Sequence, residues 1–277
     1  MAFNRNLFYL FIIIKNMNVL TKKLIFLFCC LIILTIYLQI RDKNELFYEH
    51  FEMSDEIPKI IYLTSKTKDI PGFVIPNWKK IYPNYQIKLY DNNDCINFLG
   101  KEYGVEHIDI FNHIKDGPIK ADFWRVCILY KYGGIYSDID SEPLVNMEKL
   151  LEKNTTFMTS TSNTISNFNP QFIVSKANHI ILKKCIDKYI EMYRKNKEYT
   201  YWGWSIVNVM KDVFEEHFGY NLTKDGIYLD KENNKYQMLN EIVPNNNIKN
   251  AYCEYKGVKV LNIRYSLYDS DNHTWLQ

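Results

Sequence analysis

Residues 116–140 read DGPIKADFWRVCILYKYGGIYSDID, and this stretch decides the fold. It opens on Asp116-Gly117-Pro118, a turn that sets proline at the first helical position, where its missing N–H goes unneeded. The helix predicted from there through Tyr132 ends at Gly133-Gly134, where a residue with positive φ is wanted. Ile135-Tyr136-Ser137-Asp138 then reads as a brief buried strand.

The same alternation extends outward on both sides. Pro58 opens a strand over Lys59–Leu63, a helix lies around Trp78 and closes at Pro83-Asn84, and Tyr85–Tyr90 alternates as a second strand. Asn92–Lys101 and Glu106–Lys115 read as helices; so do Ile180–Tyr193 and Ser205–His217 further on. Gly226–Asp230 and Val258–Ile263 look extended. Strands alternating with helices predict an α/β domain over 57–277 with a Rossmann-like, mostly parallel sheet flanked by helices.

Composition bounds the rest. The chain has 277 residues, 47% of them apolar and 24% charged, which excludes disordered and low-complexity classes. A net charge of +2 gives no reason to expect nucleic acid as a partner. The 22 Tyr and 16 Phe, with heavy Asn, Ile and Lys use, read first as codon bias and only then as carbohydrate-stacking surface.

Leu24–Ile40 holds no charged residue and is long enough to cross a bilayer. No small-x-small cleavage site follows it, as a signal peptide would need, and Arg5, Lys15, Lys22 and Lys23 crowd its N-terminal side. The expected layout is a cytosolic tail over 1–23 (shorter if Met17 is the start), a type II transmembrane anchor over 24–40, a stem over 41–56 and the catalytic part beyond. In a eukaryotic secretory pathway that part faces the Golgi or ER lumen; a viral or bacterial gene would give the anchor another meaning. Sequons at Asn154, Asn221 and Asn272 suit that side of a membrane. Cys95, Cys127, Cys185 and Cys253 show no zinc spacing; two disulfides are compatible with them in three connectivities, although Cys127 sits in an apolar helix as a core residue would.

The chemistry gathers around Asp138-Ile139-Asp140, two hard oxygen donors where the chain leaves a strand. The tripeptide alone is a weak signal, because Asp269-Ser270-Asp271 repeats it and aspartates on turns are ordinarily just solvated. Context separates the copies. Asp122 and Arg125 stand one helical turn apart among Phe123, Trp124, Val126, Ile128 and Leu129, so the Gly133-Gly134 reversal can bring all four polar residues to one ligand. A structural Asp–Arg pair beside an exposed acidic turn is the plainer alternative.

Ala121-Asp122-Phe123-Trp124-Arg125, followed by Leu129-Tyr130-Lys131-Tyr132-Gly133-Gly134-Ile135-Tyr136-Ser137-Asp138-Ile139-Asp140, closely resembles the signature of the sugar-binding Asp-x-Asp glycosyltransferases of family 32. That group includes fungal outer-chain mannosyltransferases and inositol-phosphoceramide mannosyltransferases; the glucosylating domains of large clostridial toxins share the spacing. Ile57–Tyr62 and Trp78–Pro83 are similar to the family's opening stretches, and the likeness is strongest over 57–150. The resemblance implies a GT-A-type fold, a UDP- or GDP-linked sugar donor, a Mn²⁺ or Mg²⁺ ion and retention of anomeric configuration. It implies that Asp122 and Arg125 hold the donor sugar's hydroxyls, that Asp138 contacts ribose, sugar and metal-bound water, and that Asp140 ligates the metal directly. Tyr62 and Tyr136 would lie beside the donor. The acceptor would be a glycan, a glycolipid or a protein.

The second half departs from the family. Leu63-Thr64 replaces a usual His-Gln, and Trp202-Gly203-Trp204-Ser205 stands where Thr-Gly-Pro is usual. Asp271 and His273 are candidates to complete the metal shell and Trp275 to cap the donor, against the plainer reading of a polar tail with one packed Trp. Asn169 and His179 echo a cleft-lining stretch, and Asn169, Trp202 and Trp204 are the acceptor-side candidates. A catalytically silent relative that binds sugar or nucleotide as a lectin-like module is the alternative function. A phosphatase fits poorly, since Gly-Gly precedes the Asp-x-Asp strand and Ser141-Glu142 follows it.

Overall fold

The structure, a computed structural model, describes residues 56–162, 168–247, 250–263, 268–269 and 274–275, together with residues 18, 19, 21, 28, 34 and 35. The chain divides into Met1–Ser54 and Asp55–Gln277, and the fold below is that of the second unit. Most of the expected span over 24–40 lies outside the described residues. Among those described, no helix is long and apolar enough to cross a membrane.

The first half follows the expected alternation: β1 (Ile60–Thr64), α1 (Val74–Ile81), β2 (Gln86–Tyr90), α2 (Asn92–Glu102), α3 (Val105–His113), α4 (Gly117–Tyr132), β3 (Gly134–Ser137). β1 pairs in parallel with both β2 and β3. Each turn has its local cause. A capping box between Asp91 and Asp94 starts α2, and proline sits in the first turn of α4. Gly133 and Gly134 adopt φ of 64° and 108°. A Cβ on Gly134 would stand 2.8 Å from the Ile60 carbonyl oxygen, so the reversal tolerates no larger residue.

Beyond the Asp-x-Asp the chain is richer in strands than expected: β4 (Ser141–Pro143), β5 (Thr155–Ser162), β6 (Phe172–Ser175), α5 (Ile180–Arg194), α6 (Tyr201–Trp204), α7 (Ile206–Phe218), β7 (Gly226–Leu229), β8 (Lys235–Ile242), β9 (Tyr252–Tyr255) and β10 (Val258–Ile263). Two further short strands, β11 (Tyr268–Asp269) and β12 (Thr274–Trp275), pair with each other. The main sheet runs β2-β1-β3-β6-β5-β8-β9-β10-β4, with β7 on β8. The expectation of a mostly parallel sheet is corrected here. Only β1–β2, β1–β3 and β5–β8 are parallel, against six antiparallel pairings. The cause lies in the connections: parallel neighbours need a crossover of a dozen residues or more, whereas β9 and β10 are joined by Lys256-Gly257 alone.

The sheet cannot be flat. β3 and β4 stand six positions apart in its order, roughly 29 Å if it were planar. Yet only Asp138-Ile139-Asp140 joins them, a link with a reach of roughly 14 Å at full stretch. The sheet therefore curls until its β4 edge returns to the end of β3, and the Asp-x-Asp closes the gap. Side chains alternate between two cores. Tyr62, Tyr136, Phe157, Ile173, Tyr236 and Met238 face the layer of α2 to α5 and α7. Ile61, Leu63, Ile135, Met158, Leu239 and Leu261 face the other side, where Trp78 of α1 packs. Cys95, Cys127, Cys185 and Cys253 are all buried and free, so the two disulfides that their number allowed are not formed.

Candidate active site

Helix α4 is buried along its middle, and two charged residues sit in that buried stretch: Asp122 and Arg125 are 6% and 4% exposed. Burying a charge is costly unless it is paired, and here the pairing closes on itself. Arg125 Nη2 lies 2.8 Å from Asp122 Oδ1 and 3.1 Å from Asp138 Oδ1. Its Nη1 donates to the Pro170 carbonyl at 2.7 Å. The guanidinium rests on the Tyr136 ring, 4.4 Å from the centroid, and the Tyr136 hydroxyl donates to Asp138 Oδ1 at 2.7 Å. Asp122 Oδ2 accepts from the Ile206 N–H at 2.9 Å, at the first turn of α7. The carboxylate thereby satisfies one of that helix's open donors at its positive end.

Asp140 is different. It is 6% exposed, and its Oδ1 is fully buried with no hydrogen-bond partner; the neighbouring Ser141 Oγ has none either. Burial and the adjacent Asp138 charge push the Asp140 carboxyl well above the ordinary range. Burial also raises Asp138, against the opposing pull of Arg125 and the Tyr136 hydroxyl. Asp122 is pushed up to about 6 by burial, opposed by Arg125 and the Ile206 N–H. Two carboxylates thus share one guanidinium, a third stands beside them, and a hard oxygen atom is left over. A divalent cation beside Asp140 and Asp138 fits that deficit in both charge and ligand type. Among the described residues no group of three or more His, Cys, Asp or Glu converges as a complete metal shell. Asp271 and His273, the other expected ligands, lie outside the described residues. Trp275 is placed only as backbone in β12.

The remaining candidates scatter. Tyr136 joins the cluster as described. Tyr62 stands apart from it, 1% exposed and packed in the helix-side core near Tyr90. Trp204 also packs inward. It is fully buried among His113, Tyr189 and Tyr199, and its Nε1 donates to the Glu198 carbonyl. Trp202, two residues earlier on α6, is 56% exposed and keeps a free face. Asn169 Nδ2 donates to Glu241 Oε1 at 2.8 Å. His179 caps α5, its Nδ1 accepting from the Ile181 N–H, and burial lowers its pKa to about 3. Several groups that build the cluster left no mark in the sequence, because they are main-chain atoms: the Pro170 carbonyl, the Ile206 N–H, and the Gln171 carbonyl that accepts from Asp138 N at 2.9 Å.

Residues 39–157 match the model of the glycosyltransferase sugar-binding region containing a DXD motif. That stretch is similar to the DXD glycosyltransferase family. Within this family's reach, the chain is similar to a mannosyl phosphorylinositol ceramide synthase of Saccharomyces cerevisiae, 32% identical over 162 residues, 55% of this chain and 40% of the relative. It is also similar to an uncharacterized glycosyltransferase of Acanthamoeba polyphaga mimivirus, 31% identical over 104 residues, 37% of this chain and 41% of the relative. The matches therefore span well under half the length of these relatives. A solved structure, the PaToxG glycosyltransferase, aligns over 65% of this chain and 79% of its own, with 15% identity and a TM-score of 0.45, too distant a likeness to bear on the site.

Proposed function

We propose that the protein is a metal-dependent, retaining glycosyltransferase of GT-A type that moves a hexose from a nucleotide-sugar to a glycan, glycolipid or protein acceptor, tethered by the apolar run 24–40. One observation carries this reading: a closed Asp122–Arg125–Asp138 ion cluster stands directly beside a buried, partnerless oxygen of Asp140. A structural ion pair alone would leave no such oxygen, since an unpaired buried acceptor costs about 1–3 kcal/mol.

In this reading Asp140 and Asp138 would hold a Mn²⁺ or Mg²⁺ ion, which when bound would supply positive charge to stabilise a departing nucleoside diphosphate. The chain's own residues do the rest. Arg125, fixed by Asp122, Pro170 and the Tyr136 ring, keeps Asp138 oriented. Asp122 and Asp138 are both held by the guanidinium, which supports a role in gripping sugar hydroxyls and not in attacking the anomeric carbon. Retention then follows from acceptor and leaving group meeting on one face of the sugar, with the exposed Trp202 as a stacking surface for the acceptor. The yeast mannosyl phosphorylinositol ceramide synthase to which the chain is similar makes a nucleotide-linked mannose the first donor to try and a glycolipid the first acceptor.

The test is release of nucleoside diphosphate by the full chain with Mn²⁺ across a panel of UDP- and GDP-sugars. Turnover of one donor, absent in Asp140→Asn, supports the reading. Equal turnover by wild type and Asp140→Asn would overturn it. Metal-dependent donor binding with no turnover of any donor or offered acceptor would favour a silent sugar- or nucleotide-binding module.

A further inference from the structure

Glu241 is an acid on β8 that the proposed chemistry does not use. It is 3% exposed. In the sheet order β3-β6-β5-β8 its strand lies three positions from the strand that carries the Asp-x-Asp, about 14 Å away across the sheet. A connection between them nevertheless runs through three residues, Asn169-Pro170-Gln171, which lead into β6.

Each residue of that strap is held by at least one hydrogen bond. Asn169 Nδ2 donates to Glu241 Oε1 at 2.8 Å, its N–H donates to the Ser160 carbonyl at 3.0 Å, and its carbonyl accepts from Ser160 Oγ. The Pro170 carbonyl accepts from Arg125 Nη1 at 2.7 Å. The Gln171 carbonyl accepts from Asp138 N at 2.9 Å, while its Nε2 donates to Cys253 Sγ at 3.5 Å. On one side the strap grips β5, β8 and β9. On the other it holds the guanidinium and the backbone of the first Asp-x-Asp aspartate. Proline suits the middle position, since it contributes only the acceptor that Arg125 needs and fixes its own φ. Glu241 contributes a charge-assisted hydrogen bond, among the stronger ties available to such a link.

We propose that Glu241 is a positioning residue for the donor site, acting through Asn169 to hold the Pro170 and Gln171 carbonyls against Arg125 and Asp138. The inference rests on the glycosyltransferase reading for its catalytic consequence, but not for its structural one. It also gives Asn169 a different task from the acceptor contact expected of it: the amide is committed to Glu241.

Three variants of the full chain test it: Glu241→Gln, Asn169→Asp, and the double variant Asn169→Asp/Glu241→Gln, which restores an amide–carboxylate pair with its polarity reversed. The first readout is amide hydrogen exchange over 134–143, which includes the Asp138 N–H held by Gln171, with 60–64 in β1 as the internal reference. The expected result is exchange about tenfold faster over 134–143 in each single variant, little change over 60–64, and recovery in the double variant to within about threefold of wild type. The second readout is the kcat for donor turnover, expected to fall about tenfold in the singles and to recover in the double. Unchanged exchange over 134–143, equal acceleration over both segments, or no recovery in the double variant would overturn the proposal. Should the wild type turn over no donor, the functional reading fails on the second readout while the first still decides the role of Glu241.

Discussion

Two acidic clusters in this molecule, one around Asp230 and one around Asp138 and Asp140, behave oppositely. In the turn between β7 and β8, Asp230 Oδ2 meets His217 Nε2 at 3.0 Å, the Tyr236 hydroxyl at 3.0 Å and Asn234 Nδ2 at 2.9 Å, while its Oδ1 accepts from the N–H groups of Glu232 and Asn234. Burial alone would raise this carboxyl, but Asn234, His217 and Tyr236 outweigh it and hold it well below the carboxylate range. At the end of β3, two carboxylates divide one guanidinium with a third beside them, burial pushes the pKa values of all three up, and Asp140 Oδ1 meets nothing. The difference separates structure from function. A finished network with every lone pair used stabilises a fold, whereas one that is short of positive charge is built for something that arrives.

Breaking each cluster should therefore cost different things. Arg125→Met should be the most damaging change, at about 3–5 kcal/mol by denaturant unfolding, because it strands Asp122 and Asp138 as unpaired buried charges. A loss below 1 kcal/mol would mean those carboxyls are already neutral in the fold. Asp230→Ala should cost about 3 kcal/mol by leaving His217, Tyr236 and two backbone N–H groups short of an acceptor. Its donor turnover per folded molecule should match wild type, and a selective loss of turnover would move that cluster into the active site.

Next in size comes a pH effect at His179. Its folded pKa of about 3 lies below the ordinary value near 6.5, so the unfolded chain takes up a proton that the fold refuses. Stability should fall as pH drops below about 6.5, approaching 1.4 kcal/mol per pH unit from this group. His179→Asn keeps a helix-capping side chain and should flatten that slope; an unchanged slope would place the acid sensitivity elsewhere. The smallest effect belongs to Trp202→Ala. With the side chain 56% exposed, stability should stay within about 0.5 kcal/mol, while the KM for a sugar acceptor rises about two- to tenfold. An unchanged KM would remove Trp202 from the acceptor side.

What the sequence made legible follows the same division. The α4–β3–Asp-x-Asp unit announces itself because its signals are local: a proline at the helix start, two glycines at its end, and apolar residues throughout. β5 and β8 do not, since Thr155–Ser162 and Lys235–Ile242 carry polar residues on buried positions. Their Thr and Ser hydroxyls bond to neighbouring main chain, as Thr159 does to the Phe172 carbonyl and Thr161 to the Leu239 carbonyl, so the apolar alternation that marks a strand is erased. Trp202 and Trp204 read as a pair in sequence, but two residues on a helix point to nearly opposite faces, and one goes to the core while the other faces out. The strap at Asn169-Pro170-Gln171 works largely through carbonyls, which every residue possesses and no sequence pattern reveals.

The central claim, that the acid at Asp140 is held in reserve for a cation and the diphosphate it binds, is tested most directly by thermal unfolding at pH 7. Wild type and Asp140→Asn are compared, each alone and with Mn²⁺ plus UDP or GDP. Without ligand, Asp140→Asn should melt at or above wild type, since it removes a buried carboxyl whose ionised form is disfavoured by burial and by Asp138. Addition of Mn²⁺ and the matching nucleoside diphosphate should raise the wild-type midpoint and leave the variant's unmoved. A variant that melts well below wild type, or that keeps the full ligand-induced rise, would contradict the account.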